Sequence, residues 1–214
     1  MKKLLPILLC YLLMTSQVFA VSGGPSFGGG NVNPIGTYSG LIQVNREIDN
    51  DTLSIDPVTG LPAPTILQQN QINAIGLFSL GVPTTSVARG ACLIFVEGVV
   101  YTGTITASVD PDSGKLSGVL NAVFQYTRIS TNPITGAQVT AALTAQANGK
   151  VNAQINGTRQ GAAASARING SSIIQVADGG LDGLRFIVDR VLECTITGFR
   201  QSTTASTVTT LTTT

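Results

Sequence analysis

The sequence predicts an all-β protein, an antiparallel meander of about eight or nine strands closing fully or partly into a barrel, with a β-sandwich as the alternative arrangement. Three observations carry this. Apolar residues recur with a period of two and nowhere sustain the 3.6-residue period of a helix. One turn formula, Asp/Asn-Pro-x-Ser/Thr-Gly, occurs three times. Glycines fall repeatedly on the apolar side of the alternation.

The alternation is clearest over residues 99 to 109, where Val99, Tyr101, Gly103, Ile105, Ala107 and Val109 form one face and Thr102, Thr104, Thr106 and Ser108 the other. It returns in Val139-Ala141-Leu143-Ala145-Ala147 and in Val151-Ala153-Ile155. Strands are expected over 36–46, 74–82, 89–97, 99–109, 115–130, 137–147, 150–159, 164–176 and 184–199.

The turn formula stands at Asp56-Pro57-Val58-Thr59-Gly60, Asp110-Pro111-Asp112-Ser113-Gly114 and Asn132-Pro133-Ile134-Thr135-Gly136. Proline presets φ at the first corner, the Asp or Asn side chain accepts hydrogen bonds from backbone ahead of it, and glycine takes the left-handed position that closes the turn. Asn148-Gly149 adds a two-residue hairpin signal between the strands ending at Ala147 and starting at Lys150.

Tyr38-Ser39-Gly40, Tyr101-Thr102-Gly103, Leu116-Ser117-Gly118, Ile155-Asn156-Gly157, Ile168-Asn169-Gly170 and Ile196-Thr197-Gly198 each place glycine on the apolar face. Glycine weakens a strand unless the backbone bends or something approaches closely there. Repetition on one face predicts a sheet curling about a narrow interior.

The ends are of a different character. Met1-Lys2-Lys3, the apolar run from Leu4 to Met14 and the small-residue site at Val18-Phe19-Ala20 read as a secretory signal peptide over residues 1–20; the run is shorter than the roughly 20 residues a membrane-spanning helix needs. Leu9 before Cys10 argues against lipidation. Residues 21–35 read as a flexible Gly-rich leader, 36–200 as a single β domain and 201–214 as a Thr-rich tail or a late edge strand. The expected location is outside the cytoplasm: periplasmic, cell-surface or secreted.

Processing takes Lys2 and Lys3 from the twelve basic residues and leaves all eleven acidic ones, so no basic surface for nucleic acid is expected. Charged residues are only 11% of the chain, which predicts a neutral polar exterior. Export makes a disulfide between Cys92 and Cys194 chemically feasible, and a loop of about 100 residues would gain as much as ~4.7 kcal/mol in the chain-entropy model; two separate buried thiols are the other reading.

The chain contains no histidine, which removes Ser-His-Asp, Cys-His and His-ligated zinc arrangements together. Glu47, Glu97, Glu193 and the aspartates are the only source of a carboxylate pair, and the charges near Glu193 and Asp189 read as a solvated ladder. Asp110-x-Asp112-x-Gly114 and Asp178-Gly179-Gly180-Leu181-Asp182-Gly183 contain parts of a calcium loop without completing one. No catalytic residue, metal or cofactor is therefore expected. Aromatic residues are 5% with no Trp, too few for the interfacial girdles of an outer-membrane barrel. Asn50-Asp51-Thr52, Asn156-Gly157-Thr158 and Asn169-Gly170-Ser171 match the glycosylation acceptor pattern.

The segments Gly36-Thr37-Tyr38-Ser39-Gly40-Leu41-Ile42, Ile75-Gly76-Leu77-Phe78-Ser79-Leu80, and Tyr101 through Gly118 resemble exported β-rich proteins of environmental bacteria, verrucomicrobial ones especially. The resemblance covers about a third of the chain, and implies export and β structure but no activity. Gly36-Thr37-Tyr38 is also similar to the Gly-x-Trp opening of lipocalins, with Tyr in place of Trp and the other motifs of that family missing.

Two functions follow as expectations. One is a non-enzymatic exported structural or interaction module whose partner the sequence does not name. The other is a lipocalin-like carrier for a small apolar ligand, with Tyr38, Ile42, Tyr101, Ile105, Leu120 and Phe124 as candidates to line its cavity.

Overall fold

The computed structural model describes residues 33–214 except 70, 84–85, 111–112, 133, 157–165, 180–185, 207–210 and 212–214. The signal peptide and most of the leader lie outside the described residues. Contacts divide the chain into Met1–Gly30 and Asn31–Thr214, and everything described belongs to the second unit.

Nine strands form one antiparallel sheet: β1 (Gly36–Ile55), β2 (Pro62–Gln68), β3 (Ala74–Val82), β4 (Val87–Val96), β5 (Val99–Val109), β6 (Lys115–Thr131), β7 (Gln138–Asn156), β8 (Arg167–Gly179) and β9 (Phe186–Ser202). From β3 to β9 each strand pairs with the next in sequence, and β9 pairs back onto β1 from Thr37↔Ser202 to Asp49↔Arg190. Eight strands thus close a barrel. The ninth, β2, lies outside the ring. It continues along the edge of β1 that β3 occupies: β3 pairs with Gly36 to Gln43, and β2 with Arg46 to Ile55.

The three Asp/Asn-Pro-x-Ser/Thr-Gly segments all make the expected reversals. Gly60, Gly114 and Gly136 have φ of 69°, 71° and 68°, the left-handed region. Their N–H groups donate to the carbonyls of Asp56, Asp110 and Asn132 at 2.8, 2.7 and 2.9 Å. The Asp56 and Asn132 Oδ1 atoms also accept from the N–H of Val58 and Ile134 at 2.7 and 2.9 Å. Ser113 Oγ donates to Asp110 Oδ2 at 2.6 Å, so the first part of the calcium-like pattern is spent on the turn.

Three expectations require correction. Asn148-Gly149 is not a turn: β7 runs through it, and β6 and β7 pair without interruption from Lys115↔Gln154 to Thr131↔Gln138. A two-residue hairpin there would put Lys150 and Asn152 on the same face as Ala147 and Ala145, whereas a continuous strand keeps Ala145, Ala147, Val151, Ala153 and Ile155 in phase and buried. Second, the first strand extends past residue 46 to Ile55 and pairs with β2, a strand the sequence reading did not include and one that contains Pro62 and Pro64. Both prolines sit at the outer edge of the sheet, where a missing N–H costs no ladder bond.

Third, Cys92 and Cys194 are free thiols, both buried. They lie on β4 and β9, with β1 and β3 between them. Cys92 shares its level with Phe78, Gly40 and Gly198, four residues along β9 from Cys194. Three strand spacings and four residues amount to about 14 and 13 Å, far beyond the ~4.4 to 6.8 Å between bridged Cα atoms. Burial pushes both thiols up to about 12, with the Glu193 charge adding to the effect at Cys194.

The apolar face points inward. On β5, Tyr101, Ile105, Ala107 and Val109 are buried while Thr102, Thr104, Thr106 and Ser108 are exposed. The neighbours of the threonine row are Leu93, Ala91 and Arg89 on β4 and Val123, Asn121 and Val119 on β6, so no flat array of threonines forms. The inward glycines mark close strand approaches: a Cβ on Gly40 would lie 2.0 Å from the Thr197 carbonyl oxygen and 2.5 Å from Gly198 Cα. A Cβ on Gly103 would lie 2.0 Å from the Asn121 oxygen. Only glycine lets the sheet coil this tightly.

Two measurements test this account. Gly40→Ala should lower stability by about 1–3 kcal/mol or more, the usual cost of overpacking, seen as a lower urea midpoint; an unchanged midpoint would contradict the close approach. A thiol reagent should leave Cys92 and Cys194 unmodified in the native protein and modify both after denaturation without reductant, because the inert buried thiols need unfolding rather than reduction to react.

Candidate functional site

The barrel interior is the natural place to look for a ligand site, since an eight-stranded barrel is wide enough either to be filled by its own side chains or to hold one small molecule. Here side chains fill it. Ile42, Phe78, Leu80, Ile105, Leu116, Val151, Ala153, Ile168 and Ile196 converge from seven of the eight strands and leave a cavity of about 10 Å³. That is about the space of one water molecule, with only apolar walls.

The six candidate lining residues are distributed rather than gathered. Ile42 and Ile105 face the residual cavity. Leu120 is fully buried in the same core but not on that cavity. Tyr38 lies towards one end. Tyr101 and Phe124 lie together towards the other, ring centroids 6.1 Å apart edge to face, and Phe124 stacks on Tyr126 at 5.8 Å. The other residues around the cavity were not among the six lining candidates, although period-two alternation already put Val151 and Ala153 of β7 on an apolar face and the same reading of β3, β6, β8 and β9 finds the rest.

The end at which β3 and β5 finish and β1 begins is closed by Tyr38 and Arg200. The Tyr38 hydroxyl donates to the Pro34 carbonyl at 2.9 Å and accepts from Arg200 Nε and Nη2 at 3.2 and 3.1 Å. Arg200 Nη2 also donates to the Asn33 carbonyl. Burial raises the Tyr38 pKa, with Arg200 partly opposing. The phenol and the guanidinium satisfy one another where the polar backbone would otherwise meet the apolar core.

The opposite end carries charge, and a β-bulge explains how. Val44 pairs with Cys194 and Arg46 with Glu193, so Asn45 is the extra residue on β1. The extra residue reverses the alternation. Glu47 and Asp49, which would otherwise face outward, are buried, while Arg46 and Ile48 turn out. Glu47 is 1% exposed, and its Oε1 accepts from Arg190 Nη1 at 2.9 Å. Arg190 Nη2 reaches Glu97 Oε2 at 2.8 Å, in the tight β4–β5 turn where Glu97 itself has φ 48°. One guanidinium thereby ties β1, β9 and the β4–β5 turn across the mouth.

Burial raises the Glu47 pKa; Arg190 opposes this, and the charges of Glu97 and Asp49 add to it. The Arg190 pKa is raised, first by its hydrogen bond to Glu97. Glu193 instead pairs with Arg46 at 2.8 Å on the outer face, each side chain more than a third exposed, an arrangement worth little net stability. Of the three glutamates considered for chemistry, two meet at Arg190 and one stands apart. A carboxylate as enclosed as Glu47 offers no surface for a substrate to touch. The Asp178 to Gly183 cluster falls where the side chains lie outside the described residues.

Taken together, closure, inward apolar packing and plugged ends define the class: an up-and-down antiparallel β-barrel with a filled interior. No protein-family model matches the sequence, and no curated protein sequence aligns with it significantly.

A folded pKa raised above the ordinary 4.5 means that the Glu47 contribution is fully present below pH 4.5 and is lost as pH rises through the higher folded value. The stability of the wild type relative to Glu47→Gln should therefore fall as pH is taken from about 4 to about 7. Urea titrations of both proteins across that range check it; a difference that grows with pH would reverse the assignment.

Proposed function

We propose that this chain is an exported, non-enzymatic β-barrel that works as a structural or interaction module through its outer surface and projecting hairpins. The observation that carries this reading is the packing of the core, where the described residues enclose a cavity of about 10 Å³ against the several hundred that a small-molecule site needs. The signal-peptide pattern supports export, and the absence of histidine together with the engagement of Glu47, Glu97 and Glu193 by arginines supports a role without catalysis.

The exterior has features suited to contact. The tips of the β1–β2, β4–β5 and β6–β7 hairpins share one end, as the up-and-down order requires. The β6–β7 hairpin projects beyond its neighbours: pairing with β5 stops at Val123 and pairing with β8 at Gln146. Beyond these points a two-stranded ribbon continues, with Ile129, Ile134 and Val139 exposed. A lipocalin-like carrier would need the core to open, at the cost of separating packed side chains.

Native mass spectrometry of protein purified from its source tests both halves of the reading. The expected mass is that of the polypeptide from Val21 onward with nothing bound. A stoichiometric copurifying apolar molecule would replace the structural reading with the carrier, and a hydrolytic or transfer activity abolished by Glu47→Gln, Glu97→Gln or Glu193→Gln would replace it with an enzyme.

A further inference from the structure

The outer faces of β1, β3 and β4 differ from the rest of the barrel. On this side the register brings Leu41, Leu77 and Leu93 into one row. Gln43, Ile75 and Phe95 form the row on one side of it, and Ser39, Ser79 and Ala91 the row on the other. These positions alternate with Ile42, Phe78, Cys92 and Ile94, which belong to the core, so they point away from it. The outward Thr102, Thr104, Thr106 and Ser108 of β5 are exposed, yet Leu93 is 3%, Ala91 0% and Ser79 9% exposed. Every described strand belongs to the one sheet, so no described strand is layered over this face.

The chain beyond β9 leads onto this face. Thr37 is the outward residue of β1 two positions before Ser39, and its Oγ1 donates to the Thr204 carbonyl at 2.8 Å. The Ser206 N–H donates back to Thr37 Oγ1 at 2.9 Å, and the two hydroxyls are also 2.9 Å apart. Five residues further on, Leu211 is partly buried. A chain of five residues reaches at most about 17 Å. From Thr37 to the Leu41 row is four residues along β1, about 13 Å, and one or two strand spacings of about 5 Å each bring the chain over Leu77 and Leu93. The segment from Gln201 to Thr214 contains no charged side chain, so an apolar face desolvates no ionised side chain of it.

We propose that the apolar outer face of β1, β3 and β4 is a docking surface whose occupant is the C-terminal segment of the same chain, anchored by Thr204 and Ser206 on Thr37 and seated through Leu211 on the row of Leu41, Leu77 and Leu93. Each molecule covers its own face, and the Thr-rich tail is the detachable part. This stands independently of how the interior is used.

Ser79→Cys, a near-isosteric change on the covered face, provides the probe. In the full chain its labelling by a maleimide should be slow, and in a chain ending at Ser206 it should be faster by roughly tenfold or more, with Cys92 and Cys194 unreactive in both. Should the truncated chain fold poorly, Leu211→Asp in the full chain serves instead and should release the same protection. Equal labelling with and without the tail overturns the proposal, as does protection that survives loss of the tail but disappears when residues 21–32 are removed. Leu77→Cys combined with Leu211→Cys should oxidise to a disulfide within one chain; a crosslinked dimer would show that a second copy is the occupant and overturn the intramolecular arrangement.

Discussion

Closure of β9 onto β1 is the constraint from which the other features follow, because it converts an open meander into a cylinder of fixed width. Without that ladder, β1 and β9 would each present a long row of unpaired N–H and C=O groups. With it, the inward faces of eight strands must share a space that accommodates little beyond their own side chains. The paired glycines Gly40 and Gly198 lie opposite one another within this same ladder. A side chain on Gly40 would collide with β9 backbone, so the closing seam itself is written in the glycine pattern.

Plugged ends are the second consequence. A cylinder with an apolar interior must be capped where its polar backbone meets solvent, and an arginine does this at each end. Arg200 meets a phenol and backbone carbonyls, whereas Arg190 meets two carboxylates. Both caps tie strands that are remote in sequence. The bulge at Asn45 is what turns Glu47 inward, so a one-residue irregularity decides whether the mouth is charged or apolar.

Different features were legible to different degrees, for identifiable reasons. The three proline-containing turns were readable because each is a local device: an Asx acceptor, a fixed φ and a left-handed glycine act within five residues. Asn148-Gly149 carries an equally strong local signal and forms no turn, because uninterrupted pairing of β7 with both β6 and β8 outweighs it. The phase of the alternation across that dipeptide recorded the outcome, and a reading of phase rather than of dipeptides would have found it. The charged mouth left no such trace: Glu47 and Asp49 occupy positions that regular alternation assigns to the exterior.

By itself, then, the sequence determined an all-β chain, the location of most reversals and the curvature demanded by its glycines, because each of these depends on residues close together in the chain. Tertiary structure decided the rest. The separation of Cys92 from Cys194, the filling of the interior instead of a pocket, the meeting of Glu47, Glu97 and Arg190, and the coverage of Leu93 on the outside all depend on which strands become neighbours and in what register. Those are distances set by closure, and period-two alternation is blind to them because it reports only which side of a strand a residue takes.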